Sequence, residues 1–131
     1  MRLSLLAAAI AVSFFAHTAA ASELSCPATL NADETTGGAQ ASYKFRYVSF
    51  YDGDPAEMVD LAPSEGPNPK VLEQRWRLTR TAGRPIVMVC RYHGTERTVQ
   101  KEVPPDVREC RLNGFIDANG EIIGSPTLKC N

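Results

Sequence analysis

The sequence predicts a small, mainly β protein: an antiparallel sheet or sandwich with one short helix, stapled by two disulfides. Three observations lead to this prediction. Apolar and polar residues alternate in several short runs, turn-forming residues separate these runs, and four cysteines follow an apolar leader. Period-two alternation is typical of half-buried strands. An even number of cysteines in an exported chain is typical of disulfides.

The chain begins with the pattern of a secretory signal peptide. Arg2 gives a positive start, an almost wholly apolar run continues to Ala16, and residues 19–21 are the small alanines of a cleavage site. The run is shorter than the roughly 20 apolar residues that cross a bilayer. We therefore expect cleavage of residues 1–21 and no membrane anchor afterwards. Residues 22–131 are expected to form a single domain in the periplasm.

The first strands follow the leader. Residues 26–30 predict a short edge strand, because Pro27 has no N–H to donate to a neighbouring strand. A small, polar stretch after it predicts a loop. Residues 43–51 alternate aromatic and basic side chains, which predicts a half-buried strand. The alternation breaks at Val48, where we expect a bulge or burial on both faces.

The segment around Asp54 has two interpretations. Its three carboxylates could bind calcium, but the alternating ligands and the distal glutamate of the known calcium loop are missing. A helix start fits better, with Asp54 as N-cap, Pro55 at the first position and Glu57 at the third. This interpretation predicts a short helix with Met58 and Leu61 on one face.

Residues 84–94 carry the run expected at the centre of the fold. From Ile86 to Cys90 every side chain is apolar or contains sulfur, which is typical of a strand buried on both faces. A hairpin about Gly94 would then place Val99 opposite Cys90. The sequence thus predicts a central strand followed by a neighbour on one side.

The strand before this run is predicted at residues 72–79. Its polar and apolar residues alternate, and Trp76 lies on the apolar face. If the turn at residues 82–83 closed a hairpin, Trp76 would lie opposite Val89. Burial of the Trp76 ring on that face would make a large contribution to its packing.

The last predicted hairpin turns at Asn119-Gly120 and decides the disulfide pairing. In that register Cys110 lies opposite Lys129, the residue before Cys130. A bulge at residues 124–126 would bring the two sulfurs together. We therefore favour a disulfide between Cys110 and Cys130.

By elimination, Cys26 would then pair with Cys90, while the two other pairings stay open. Zinc binding is the alternative use of four cysteines. The sequence has no Cys-x-x-Cys, however, and His93 is the one histidine after the leader. We expect no metal and no cofactor.

The charge of the chain limits the class of partner. The formal net charge is −1, which argues against a nucleic-acid-binding protein. Residues 22–69 hold eight acidic and two basic side chains, whereas residues 70–111 hold ten basic and five acidic ones. The two halves could face each other or be solvated separately. Alternatively, one of them forms a charged patch for a partner.

No catalytic set is recognisable. Motifs of serine, lysine and metal-dependent hydrolases are missing, and oxidised cysteines are not nucleophiles. His93 could be a general base oriented by Asp52 or Asp106, but a turn position at a strand end explains it more simply. Asp52 and Asp54 could be glycosidase carboxylates, yet neighbouring acids in a turn are usually caps. We expect a protein that is not an enzyme.

Several motifs occur together over nearly the whole of the chain after the leader. They are Cys26-Pro27-Ala28-Thr29-Leu30, Gly53-x-Pro55-x-Glu57, Leu61-Ala62-Pro63, Trp76, Cys90-Arg91-Tyr92 with Gly94-Thr95, Val103-Pro104-x-x-Val107-x-x-Cys110 and Cys130. In this combination the sequence resembles an uncharacterised family of small exported proteobacterial proteins named after a Salmonella reading frame. The resemblance implies periplasmic residence and a small β-rich domain. It implies no activity and no functional residues.

A binding role is the function that these features favour. Export, small size, disulfides and the missing catalytic set predict a periplasmic protein that inhibits or modulates an envelope enzyme. An immunity or inhibitor protein against a cell-wall hydrolase is one example. The alternative is a structural or accessory envelope protein with no inhibitory role.

The candidate contact residues lie at the end of the central strand and in the turn after it. They are Arg91, Tyr92, His93 and Arg97. Tyrosine and arginine are common anchors of protein interfaces. The competing interpretation places Tyr92 in the core and Arg91 in solvent.

Overall fold

The computed structural model describes residues 23–31 and 42–131. Within these residues eight strands occur, and the mainly β fold class is confirmed. The strands are β1 (Thr29–Asn31), β2 (Ser42–Asp52), β3 (Ser64–Glu65), β4 (Val71–Arg77), β5 (Ile86–Tyr92), β6 (Thr98–Glu102), β7 (Glu109–Ile116) and β8 (Ile122–Cys130). The predicted signal peptide lies outside the described residues, and so does most of the predicted polar loop.

The strands form two four-stranded antiparallel sheets. The first sheet has the order β1-β2-β5-β6, and the second has the order β3-β4-β7-β8. Pairs of consecutive strands therefore alternate between the sheets along the chain. Apolar side chains from both sheets share one core, which is the arrangement of a sandwich.

The centre of the first sheet follows the sequence prediction. β5 lies between β2 and β6, and Cys90 is the register partner of Val99 on β6. Three of its side chains that face the core, Ile86, Met88 and Cys90, are almost completely buried. β2 contains an irregularity, a register shift between Phe45 and Tyr47, but it lies before Val48, where the sequence predicted the break.

The predicted hairpin between β4 and β5 is wrong. Trp76 lies opposite Cys110 of β7, whereas Val89 lies opposite Ser49 of β2. The connection from β4 to β5 crosses from one sheet to the other instead of turning back within a sheet. Alternation of apolar residues shows that a strand has a buried face, but it does not show which sheet the strand joins.

Trp76 nevertheless occupies the centre of the shared core. Its ring is 1% exposed and lies 5.1 Å from the ring of Phe50, measured between centroids. The edge of Tyr47 lies at 6.3 Å on another side. The indole N–H donates a hydrogen bond of 3.0 Å to the carbonyl of Leu61, so this large side chain joins the two sheets without an unpaired polar group.

The β7–β8 hairpin contains the predicted bulge. Phe115 lies opposite Ile123, but Asn113 lies opposite Thr127, so β8 has two extra residues between these rungs. They belong to the predicted 124–126 segment. The turn itself is one residue longer than predicted. Asp117 closes it by accepting hydrogen bonds on its carboxylate from the N–H groups of residues 119 and 121.

The two disulfides join the pairs that the sequence favoured. Cys26 is bonded to Cys90, and Cys110 is bonded to Cys130. The first bond holds the segment before β1 against the inner side of β5, where Leu24 is 8% exposed. The second lies between the opposing residues of β7 and β8. Each sheet therefore has one covalent tie.

The predicted short helix is reduced to a single 3₁₀ turn, Pro55–Glu57. Asp54 caps it as expected, accepting a hydrogen bond of 3.0 Å from the N–H of Ala56. The Glu57 carboxylate does not complete a capping box, because it bonds to Arg84. Met58 then adopts a left-handed conformation with φ of 61°, which ends the turn and leaves its side chain 77% exposed.

Candidate partner-binding surfaces

The four predicted contact residues occupy very different environments. Tyr92 is 2% exposed and packs edge-to-face on Phe45 at 6.1 Å. Its hydroxyl donates to the carbonyl of Pro27 at 2.9 Å, and burial raises the pKa of the phenol. Tyr92 is thus a core residue that fixes the segment carrying Cys26, and its ring is not part of the surface.

Arg91 lies on the outer side of the first sheet and is half-buried. Its guanidinium donates to the hydroxyl of Ser49 at 3.2 Å and to that of Tyr51 at 2.9 Å. Both partners lie on β2, which neighbours β5. The side chain is therefore held along the sheet, and its charge remains partly accessible.

His93 and Arg97 flank the turn between β5 and β6. The imidazole Nε2 of His93 lies 2.8 Å from the carbonyl of Gly124 in the β8 bulge, so this side chain bridges the two sheets. Arg97 is exposed, and its guanidinium donates to the carbonyl of Asn31 at 2.8 Å. Arg97 is more accessible than His93 at this end of the first sheet.

The catalytic alternatives do not assemble. Asp52 lies at the far end of β2 from His93, and its carboxylate bonds to Arg84 at 3.3 Å. Asp54 is occupied as the cap of the 3₁₀ turn. Across the described residues, no group of three or more histidine, cysteine, aspartate or glutamate side chains could hold a metal ion.

Arg84 joins the acidic and basic halves of the chain at one point. It pairs with the carboxylates of Asp52 and Glu57, and the hydrogen bond that it donates to Glu57 is the main reason why the pKa of Arg84 is raised. The same contacts anchor the loop that carries the exposed side chains of Met58 and Val59. These ion pairs account for part of the charge asymmetry, because they join acidic and basic residues of the same molecule.

A surface that the sequence analysis missed lies on the outer side of the second sheet. Val71, Phe115 and Ile123 are register partners across β4, β7 and β8, so their side chains form one row. Phe115 is 67% exposed and Ile123 is 49% exposed. The sequence contains a signal for this surface. In β7, Phe115 continues the alternate positions of the polar residues Arg111 and Asn113, which places its side chain on the outer side of the sheet.

A second row on the same side is cationic. Arg75, Arg111 and Lys129 are register partners across the same three strands. Glu109 lies beside them, 2.6 Å from Arg111 and 3.5 Å from Arg75. The hydrogen bond from Arg111 is the largest cause that lowers the pKa of Glu109. Lys129 has no ion pair among the described residues.

The structure also bears on membrane attachment. Within residues 23–31 and 42–131, no helix is long and apolar enough to span a bilayer. The two disulfides fit an oxidising compartment.

Comparison with known proteins gives one curated relative and no solved structure. The chain is 29% identical over 126 residues to an uncharacterised 16.3 kDa protein encoded in the trpG 5′ region of Azospirillum brasilense, covering 85% of this chain and 84% of that protein. No solved structure matches the chain. The resemblance to the family named after a Salmonella reading frame stays a prediction.

A family model gives the functional class. The model for the type VI secretion system Tli immunity protein matches residues 39–131, which include every strand from β2 to β8. An immunity protein protects by neutralising a toxic partner, and this role agrees with the predicted inhibitor of an envelope enzyme. The chain belongs to the type VI secretion system Tli immunity protein family.

Proposed function

We propose that this protein resides in the periplasm and neutralises one enzyme delivered by a type VI secretion system, by forming a stoichiometric complex with it. Membership in the immunity family is the observation that carries the proposal. The two disulfides support residence in an oxidising compartment. The apolar leader of residues 1–21 supports export.

The rigidity of the domain supports inhibition by binding. Two ties, Cys26 to Cys90 and Cys110 to Cys130, hold the strands that carry the candidate contacts. A preformed surface loses little conformational entropy when it binds, so more of the contact energy appears as affinity. A cell-wall hydrolase is the class of target that we propose, and Arg91, His93 and Arg97 are proposed as peripheral contacts.

Competition between sibling strains tests the proposal. A strain that lacks this gene should lose viability when it is mixed with a parent strain whose type VI system is active. It should keep its viability beside a parent whose secretion system is inactivated. A plasmid copy with the leader should restore protection, whereas a copy of residues 22–131 without the leader should not. Equal survival of the mutant in all mixtures would refute the proposed function.

The target follows from purification of the exported protein. The wild-type chain, tagged at its C-terminus and extracted from the periplasm, should retain the effector enzyme in a one-to-one complex. Activity of the isolated effector on peptidoglycan then tests the proposed target class. An effector without that activity would rule out the hydrolase while leaving the immunity role in place.

A further inference from the structure

We propose that the outer side of the second sheet is the main surface by which this protein binds its effector enzyme. This inference rests on the proposed function and names the binding site and the chemistry of the partner. We call this surface the second-sheet face, and its six defining residues are Val71, Arg75, Arg111, Phe115, Ile123 and Lys129.

The apolar row is the first reason. Single exposed apolar residues are common on soluble proteins, but contiguous ones indicate an interaction site. Phe115 and Ile123 are two of the four large apolar side chains that are exposed among the described residues. They are direct register partners, and Val71 extends the row onto β4. The row can therefore be buried as a unit by one partner.

Charge is the second reason. The outward side chains of β4, β7 and β8 include four cations and two carboxylates, with Arg77 and Glu73 added to those already named. The whole chain has a net charge of −1, so this face is positive on a slightly acidic protein. Complementary charge speeds association and rejects wrong partners. The partner should therefore present carboxylates beside an apolar contact.

The scaffold beneath the face is the third reason. Cys110 and Cys130 face the core at the rung next to that of Arg111 and Lys129, and their disulfide joins the two strands there. Glu109 holds Arg75 and Arg111 on the face through ion pairs. Two of the three cations in the row, Arg75 and Arg111, are thus positioned before binding, which reduces the entropy lost in the complex.

The second-sheet face is large enough to form the central part of a protein interface. With a strand spacing of about 4.8 Å and a rise of about 3.3 Å per residue, three strands give a surface of roughly 14 Å by 25 Å. That area, on the order of 350 Å², is somewhat less than half of the roughly 800 Å² that each partner contributes to a standard interface. Flanking loops can supply the remainder.

The binding experiment uses exported, purified protein and the effector enzyme that is retained by the wild type. The double variant Phe115→Ser/Ile123→Ser should weaken binding at least about 30-fold, as expected for loss of a buried apolar anchor. The matched control is Met58→Ser/Val59→Ser, which removes an equally exposed apolar pair from a different loop. It should change the dissociation constant less than about threefold.

Charge reversal provides a second measurement. Lys129→Glu should weaken binding about fivefold to tenfold, mainly through a slower association rate. Its control, Lys44→Glu, changes an exposed lysine of the first sheet and should have little effect. Melting temperatures close to wild type would show that all four variants are folded.

The possible outcomes distinguish an error in the proposed binding surface from an error in the proposed immunity function. A fifth folded variant, Arg97→Glu, tests the first sheet. Wild-type affinity in both face variants, or a loss confined to Arg97→Glu, would overturn the proposed binding surface and leave the immunity role intact. Failure of the wild type to retain any effector would overturn both. A cationic and apolar surface could also bind an anionic membrane. Loss of sedimentation with phosphatidylglycerol vesicles in the face variants, with effector binding unchanged, would replace the proposed partner by a lipid surface.

Discussion

At the scale of single residues, a small residue at a close contact allows neighbouring strands of the second sheet to pack. Gly114 faces the core from β7 where the bulge of β8 turns inward. A methyl group built on it would lie 2.9 Å from Cβ of Pro126 and 3.5 Å from Leu72. The proline ring and the backbone cannot move apart easily, so glycine at this position is a packing requirement.

We predict that Gly114→Ala lowers the free energy of unfolding by about 1–3 kcal/mol through overpacking. Asn113→Ala is the matched control, because Asn113 is the exposed neighbour on the opposite side of the strand. The control should change stability by no more than about 0.5 kcal/mol. Chemical denaturation of the two variants measures the difference. A Gly114→Ala protein as stable as the control would show that the bulge can relax.

The pH dependence of stability should report Glu109. Its pKa in the folded protein is lowered from the ordinary 4.5, chiefly by the hydrogen bond from Arg111. A lowered folded-state pKa contributes stability above the unfolded-state value, and this contribution is lost as the pH falls through the folded-state value. As the pH is lowered below 4.5, the unfolding midpoint of the wild type should therefore decrease more steeply than that of Glu109→Gln. Parallel profiles would contradict the assignment.

At the scale of elements, the disulfides act on different lengths of chain. Cys26 and Cys90 are 64 residues apart, whereas Cys110 and Cys130 are 20 residues apart. Closing the longer loop removes more conformational entropy from the unfolded chain, by a logarithmic dependence on loop length. The bond that holds the N-terminal segment should therefore contribute more stability than the bond within the β7–β8 hairpin.

We predict that Cys26→Ala/Cys90→Ala costs about 4 kcal/mol and Cys110→Ala/Cys130→Ala about 3 kcal/mol. Denaturant midpoints of the two double variants give the comparison. Hydrogen exchange adds a local readout, because the first variant should lose protection in residues 23–31 as well as overall stability. A larger loss for the hairpin disulfide would contradict the loop-length argument.

Local signals in the sequence located the elements that their own turns define. The hairpin from β5 to β6 and the bulged hairpin from β7 to β8 were predicted, because turn residues and strand alternation agree there. The pairing of β4 was not predicted, since its partners lie in β3 and in the distant β7. The extent of the helix was overestimated because Glu57 bonds to Arg84, 27 residues away.

The binding surface was predictable only in part for the same reason. Arg97 was placed at the surface, whereas a buried Tyr92 was the competing interpretation, because the segment that covers it, which contains Pro27, is distant in the sequence. The apolar and cationic rows of the second-sheet face become visible only in register. Val71 is distant from Phe115 and Ile123 in the sequence, and the alternation in β7 marks Phe115 as exposed without showing which residues lie beside it.

At the scale of the whole molecule, the uneven distribution of charge should govern how fast the effector is bound. Positive potential on the second-sheet face attracts an acidic partner over about 10 Å at low salt and less at higher salt. We predict that raising the salt concentration from 50 to 500 mM slows association about tenfold and changes the dissociation rate little. Surface plasmon resonance on the purified pair measures both rates. A salt-dependent dissociation rate alone would contradict this electrostatic role.

The alternation of strand pairs between the sheets also affects how quickly the protein becomes functional. β5 pairs with β2 although β3 and β4 lie between them in the sequence, and β7 pairs with β4 although β5 and β6 lie between them. Folds dominated by such distant pairings form in milliseconds to seconds, and oxidation of the cysteines adds further delay. A cell that is attacked with a neighbour's toxin therefore gains no immediate protection from immunity protein that it synthesises after the attack. Its survival would depend on the stock that is already folded when contact occurs.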